Sequence, residues 1–328
     1  MAETEAIALA TIAKSQQLSI KEFEKQYKDH LSGFHQWDQK DHAEKWMTFE
    51  HNIGSKLSID EVAVTNGELY TVLTNKAAHG KKGCLVAMCE GTKATEIASV
   101  LGQIPLGQRE RVLEVTLDMS ESMEAIVKRT FPNAIIVTDR FHVQQLISEA
   151  LQEVRIAFRW EAIKEENKRI KQAREEGKTY RPYIYKNGDT KKQLLARSRY
   201  LLFKTQTNWG KQQKERAEIL FQEFPKIKEA YNLSMMFRAC YEHSQTIAEA
   251  KEKLTNWYDK VKEKDFDSFV TAAESIRWRE ATILNYFIDR STNASAESFN
   301  AKLKNFRTMV RGVRDRTFHL FRVAKLYA

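Results

Sequence analysis

Cysteine, proline and glycine are all scarce in this chain, and each scarcity removes something. Three cysteines in 328 residues (Cys84, Cys89 and Cys240) make neither a disulfide framework nor a paired metal knuckle, and a reducing compartment suits them. Four prolines and twelve glycines leave few points at which a helix must stop, which argues for a chain dominated by helices. No apolar run approaches the roughly 20 residues of a membrane span. The opening Met-Ala-Glu-Thr-Glu is acidic where a secretory signal is basic. The expectation is a soluble cytoplasmic protein with no membrane partner. Neither an internal repeat nor a low-complexity tract occurs.

What the chain does have is positive charge. Lysine and arginine number 53 against 44 aspartate and glutamate, a net charge of +9. Such a balance points to an anionic partner, nucleic acid above all, only where the charge is concentrated. Here it gathers near the C-terminus, at Lys302, Lys304, Arg307, Arg311, Arg314, Arg316, Arg322 and Lys325. The length is ample for one large domain or two smaller ones.

Residues 1–52 read as helix: Ile7, Leu9 and Ile12, then a Ser19 cap before Phe23, Tyr27 and Leu31, then Trp37 to Phe49. Such a segment serves either as a small interaction or DNA-binding module or as packing for the rest of the chain. The texture changes at Leu57. Leu57–Val64 and Leu69–Thr74 read as strands joined by the hairpin signal Asn66-Gly67, and Cys84–Cys89 as a third strand after a basic turn. Thr92 caps a short helix through Val100. Arg111–Leu117 is a fourth strand, Met119–Thr130 a helix and Ala134–Thr138 a fifth, continuously apolar strand. From Phe141 to about Phe287 the pattern is helical, with segments at Gln193–Lys204, Trp209–Gln222, Ile227–Tyr241, Ser244–Lys262 and Ser268–Phe287. The expectation is an α/β fold: a mixed sheet covered by helices, interrupted by an all-helical insertion. The boundaries are 1–52 for the helical N-terminal segment, 53–140 with 290–328 for the sheet domain, and 141–289 for the insertion.

The last helix has an uneven charge. Asn293 or Ser295 can cap it, and Phe299, Leu303, Phe306 and Val310 form its apolar face. Glu297 heads a neighbouring face that continues with Asn300, Lys304 and Arg311. A first-turn glutamate is favoured by the helix dipole alone. Upstream, Asp60 lies within the first strand and Asp118 just after the fourth, and the strand order makes these two strands neighbours. Each aspartate alone could cap a turn or helix. With Glu297 they would make a three-carboxylate group that repels itself unless a cation neutralises it, and hard oxygen ligands suit Mg²⁺, or Mn²⁺ in its place. Thr138-Asp-Arg-Phe-His142 adds Asp139 and His142 at a strand-to-helix junction, either as a cap with a locally bonded ring or as groups that orient the acidic edge. Trp257 and Trp278 in the insertion are either core or stacking groups for a displaced base. Phe306, Phe318, Phe321 and Tyr327, interleaved with the C-terminal cations, read as core.

Four motifs in order carry a resemblance over residues 55–328. They are Ser58-Ile-Asp-Glu-Val62; Val115-Thr-Leu-Asp-Met119 with Phe131-Pro-Asn-Ala134; Val137-Thr-Asp-Arg-Phe-His-Val143; and Asn293 with Ala296-Glu-Ser-Phe-Asn-Ala-Lys-Leu-Lys304. Together they resemble the DDE transposases of bacterial insertion sequences, the ISL group in particular. The segment Arg197-Ser-Arg-Tyr-Leu-Leu-Phe-Lys204 also fits that group. The resemblance implies a ribonuclease-H-like catalytic domain with a helical insertion before its glutamate. It implies Asp60, Asp118 and Glu297 as catalytic and Mg²⁺-binding residues, with Asp139 and His142 as the D-x-x-H pair beside them. It implies DNA contacts from Lys302, Lys304, Arg307, Arg311 and Arg314, and double-stranded DNA, both element ends and target, as partner. A homodimer on DNA at the nucleoid is implied by the same analogy. Members of the group carry a zinc ribbon and a helix-turn-helix before the catalytic domain. This chain lacks the cysteines for them, which points to a separate end-recognising polypeptide or to a remnant. The alternatives to a transposase are a non-catalytic DNA-binding or assembly protein derived from one, and a ribonuclease-H-like nuclease.

Overall fold

The computed structural model describes residues 2–65, 68–310 and 315–328. It divides into two compact units, Met1–Asp139 with Asp289–Ala328, and Arg140–Ile288. No helix among the described residues is long and apolar enough to cross a membrane.

The first unit is built on six strands: β1 (Trp46–Thr48), β2 (Lys56–Thr65), β3 (Glu68–Asn75), β4 (Leu85–Glu90), β5 (Glu114–Leu117) and β6 (Ile135–Thr138). Their order is β1-β4-β3-β2-β5-β6. The pairs from β1 to β2 are antiparallel, whereas β2–β5 and β5–β6 are parallel. Before and between the strands stand α1 (Leu9–Ser15), α2 (Ile20–Gln26), α3 (Ala94–Leu101), α4 (Leu106–Arg109) and α5 (Glu121–Thr130). The Asn66-Gly67 turn lies outside the described residues; the strands on either side of it pair with Thr65 opposite Glu68.

Alternation along the strands gives the sheet two apolar faces. Leu57, Ile59, Val115, Leu117 and Ile136 pack against Ile97 and Leu101 of α3 and Met123, Ile126 and Val127 of α5. Val62, Tyr70, Val72 and Met88 face the other way, onto Phe299, Leu303 and Phe306 and onto Leu320 and Val323. Those residues belong to the two C-terminal helices, Ala294–Met309 and Arg316–Tyr327. The interleaved aromatics Phe306, Phe318, Phe321 and Tyr327 are all buried.

Residues 1–52 depart from the expected run of helix. Gly33, at φ +78°, takes the chain out of helical geometry, and α1 and α2 are each only two turns long. Trp46–Thr48 instead forms the edge strand β1, with Met47 opposite Met88. Its outer side is closed by one side chain: Gln39 accepts from the Thr48 N–H at 2.8 Å and donates to the Thr48 carbonyl at 2.9 Å. The segment packs within the unit, Leu9, Ile12, Tyr27 and Phe34 against Phe318 and Phe321. Thr92 is also displaced from its expected cap, since Lys93 precedes the first turn of α3.

The second unit is helical: α6 (Arg140–Glu175), α7 (Lys191–Arg197), α8 (Lys211–Glu223), α9 (Pro225–His243), α10 (Ile247–Lys264), α11 (Asp267–Trp278), α12 (Glu280–Leu284) and most of α13 (Tyr286–Asp289). Its core holds Phe237, Trp257, Phe269 and Ile276, and the Trp257 indole N–H donates to the Leu233 carbonyl at 3.0 Å. Asp189, fully buried, takes hydrogen bonds from Arg197 and, at 2.8 Å, from Arg216. The segment expected as helix over Gln193–Lys204 stops at Arg197. That expected over Ser268–Phe287 is broken at Arg279, where φ −109° and ψ 16° leave helical space. The remaining two helices, α14 (Ala294–Met309) and α15 (Arg316–Tyr327), complete the first unit.

Candidate active site

Strand register places the acidic residues before any side chain is considered. Ser58 on β2 pairs with Thr116 on β5, and Thr116 pairs with Val137 on β6. Two residues further along each strand come Asp60, Asp118 and Asp139. Three strands spaced about 4.8 Å apart thus bring three aspartates to one level. Alternation also fixes their face. Leu57, Ile59, Val115, Leu117 and Ile136 point to the α3–α5 side, so Asp60, Asp118 and Asp139 point to the side covered by α14.

The individual contacts agree with that placement. Asp60 is half-buried; its Oδ2 accepts from Asn300 Nδ2 of α14 at 2.7 Å and its Oδ1 from the Glu61 N–H at 2.8 Å. Asp118, also half-buried, accepts the Ser120 N–H at 2.9 Å, while Ser120 itself caps α5. Asp139 is buried, and its Oδ1 accepts the Asn293 N–H at 3.1 Å. Glu61, next to Asp60, has its carboxyl pushed above the usual range by burial, then by the charges of Asp118 and Asp60.

Glu297 sits exposed in the first turn of α14, its N–H bonded to the Asn293 carbonyl at 3.0 Å. Asn293 occupies the cap position but makes no side-chain cap bond, contrary to expectation. Its amide is wholly buried, and its backbone does the work at both ends. The carboxylate that Glu297 meets is that of Asp139, with oxygens within 4.8 Å. Asn300, one turn on, is the residue that reaches Asp60. The structure therefore sets Asp60 and Asp118 side by side and joins α14 to the row at two points. Among the described residues, Asp60, Asp118 and Glu297 do not close into a group within that same 4.8 Å. His142 is half-buried in the first turn of α6, edge-on to Phe141.

The basic tract divides. Lys304 is exposed, Lys302 donates to the Gly80 carbonyl at 2.8 Å, and Arg307 is half-buried. Arg311 and Arg314 lie outside the described residues. Two cations of the C-terminal tract are engaged within the protein. Arg322 is only 4% exposed and donates to the carbonyls of Ala2 and Ile7. Arg316 is tied to Tyr70 and Glu90. Trp257 is core, while Trp278 stands 78% exposed.

Sequence reasoning missed the part played by Asn300. Its place three residues after Glu297 was visible, but its partner is 240 residues away on β2.

The donors at this edge are chiefly carboxylate oxygens, from Asp60 and Asp118 at half-buried positions, Glu297 at an exposed one and Asp139 at a buried one. Two of them, Asp139 and Glu297, approach each other closely. That chemistry fits a hard divalent cation and does not suit a soft metal.

Comparison with known proteins gives two matches. A family model described as transposase, of the DDE group and ISL3 type, matches residues 57–323. The transposase of insertion sequence element IS1001 from Bordetella parapertussis is 22% identical over 280 residues, which is 85% of this chain and 61% of that protein. The chain thus spans about three-fifths of the length of that curated relative. No solved structure matches the chain significantly.

Proposed function

Because the chain belongs to the ISL3-type DDE transposase family, we propose that it is a DNA transposase of ribonuclease-H-like fold, cleaving at element ends and joining them to target DNA. The observation that carries this reading is the register row of Asp60, Asp118 and Asp139 beneath the helix that bears Glu297. The curated IS1001 relative is named a transposase.

In this reading Asp60, Asp118 and Glu297 hold Mg²⁺, with Mn²⁺ able to substitute. When bound, such ions lower the pKa of an attacking oxygen and stabilise a leaving one. The chain's own residues do the rest. Asn300 fixes the Asp60 carboxylate from one side and the Glu61 N–H fixes it from the other. Asp139 and His142 orient the edge, Asp139 by holding the Asn293 N–H at the head of α14. Lys302, Lys304 and Arg307, with Arg311 and Arg314, neutralise DNA phosphates. Overall, water oxygen forms a bond to the scissile phosphorus as the bond to the 3′-oxygen breaks. The freed 3′-hydroxyl oxygen then bonds in line to a target phosphorus as that phosphorus loses its bond to the target strand's own 3′-oxygen, which leaves as a new 3′-hydroxyl. Double-stranded DNA is the substrate, the protein acts on it as a homodimer, and the bacterial nucleoid is the place of action.

An assay with labelled element ends, target plasmid and Mg²⁺ tests this. Asp60→Asn, Asp118→Asn and Glu297→Gln should each abolish cleavage while leaving DNA binding largely intact. Cleavage without joining would make the protein a nuclease, and binding without either would make it an assembly protein. The nearness of Glu297 to Asp139 favours one variant of the scheme, in which Asp139 replaces Asp118 as metal ligand. Mn²⁺ affinity lost in Asp139→Asn and kept in Asp118→Asn would select that variant.

A further inference from the structure

Asp289 to Asn293, which leads into α14, is a run of five residues, and the first, third and fifth are pinned. Asp289 Oδ2 accepts from Lys56 Nζ at 2.7 Å. Ser291 Oγ donates to Glu114 Oε2 at 2.9 Å. The Asn293 N–H donates to Asp139 Oδ1 at 3.1 Å.

The middle pin has an unusual anchor. Glu114 is 6% exposed, and a carboxylate so buried needs charge and donors around it. Lys76 Nζ supplies both at 2.9 Å from Oε1, while also donating to Thr116 Oγ1 at 2.7 Å. Lys56 Nζ stands 3.7 Å from Oε2. Lys56 and Glu114 are register partners on β2 and β5. Each lies four residues before an aspartate of the row, Asp60 and Asp118. The two strands that display the aspartates therefore also hold, at their other end, the segment that leads into the glutamate helix.

We infer that Lys56, Lys76 and Glu114 form a positioning clamp, read by Ser291 and Asp289, that sets where α14 begins and hence where Glu297 meets the aspartate row. The lysines fix the Glu114 carboxylate, and the Ser291 hydroxyl takes its direction from it. Asn293 and then Glu297 come within the next six residues. None of these five side chains touches a reacting atom in this scheme. Their effect reaches the site only through Glu297. The proposal rests on the transposase reading of that site.

The test uses the full chain with Ser291→Ala, Ser291→Thr and Glu114→Gln, and two readouts beside DNA cleavage. One is Mn²⁺ affinity by electron paramagnetic resonance, and the other is amide hydrogen exchange over residues 289–300. Ser291→Ala should weaken Mn²⁺ binding about 10- to 100-fold, the usual effect of removing a group that orients a ligand. It should speed exchange in 289–300 while leaving DNA affinity and exchange in the strands unchanged. Ser291→Thr, which keeps the hydroxyl, should restore both. Glu114→Gln should reproduce Ser291→Ala; Ser291→Ala carries the test alone should the buried substitution fail to fold. Wild-type exchange and Mn²⁺ affinity in Ser291→Ala would overturn the clamp. A wild-type protein that neither binds Mn²⁺ nor cleaves would instead overturn the reading of the site, whatever the exchange shows.

Discussion

Acid should loosen the first unit through a single buried ring. His319 on α15 is 2% exposed and stacks on Phe306 at 5.1 Å between centroids. Its Nε2 has no hydrogen-bond partner among the described residues. Burial, with some repulsion from Arg307 and Arg322, pushes its pKa down to about 4. The unfolded chain would titrate the same group near 6.5. Between those values the unfolded state binds the extra proton, so stability is full above about 6.5 and is lost as pH falls toward about 4. From pH 7 to pH 5 the loss should be about 2 kcal/mol, and about 3 kcal/mol by pH 4. His319→Leu removes the titrating group and keeps an apolar contact with Phe306, at a shape cost of about 1 kcal/mol. Urea unfolding, tracked through amide exchange of the α15 peptides at pH 7, 6 and 5, measures both proteins. The gap between the wild type and the variant should close, and then reverse, as pH falls. Parallel pH dependence in the two proteins would refute the argument.

Asn300, Asp189 and the C-terminal cations each give a further expected outcome. Asn300→Ala should cost about 1–2 kcal/mol in urea unfolding, because it removes a hydrogen bond to a half-buried carboxylate, and should slow end cleavage; unchanged cleavage would separate Asn300 from the site. Asp189→Asn leaves two guanidinium groups without their buried anion, so calorimetry should show the helical unit destabilised by about 3 kcal/mol; a shift under about 1 kcal/mol would mean solvent already screens the pair. Lys304→Ala and Arg307→Ala should each lower the slope of log affinity for DNA against log salt by about 0.9, and an unchanged slope would remove that residue from the phosphate contacts.

The strands from β2 to β6 were legible because alternate burial on two covered faces leaves its period in the sequence. Asp60 and Asp118 could be brought to the same edge of the sheet from strand order, since adjacent parallel strands end on the same side; their common level needed the observed register. The edge strand β1 was not legible. It is three residues long and is held by Gln39 and by Met88, neither of which a local window can see. The charge of the C-terminal tract was equally mute about direction. Periodicity cannot show that Arg322 turns inward to the carbonyls of Ala2 and Ile7. The hydrogen bonds from Ser291 to Glu114 and from Asn300 to Asp60 span 177 and 240 residues, a separation at which only register relates the partners.

Interleaving one unit with another has a temporal cost for a nascent polypeptide. Glu297 comes 297 − 139 = 158 residues after Asp139, so at ribosomal speeds of about 5–20 residues per second it emerges about 8–30 s later. Throughout that interval Val62, Tyr70, Val72 and Met88 lack the helices that will cover them, and the strands present a sticky surface that chaperones would be expected to shield. A product broken off anywhere within the intervening helices would carry the aspartates but neither the glutamate nor its guiding serine. Under the function proposed above, such a fragment would bring no cleavage activity to DNA.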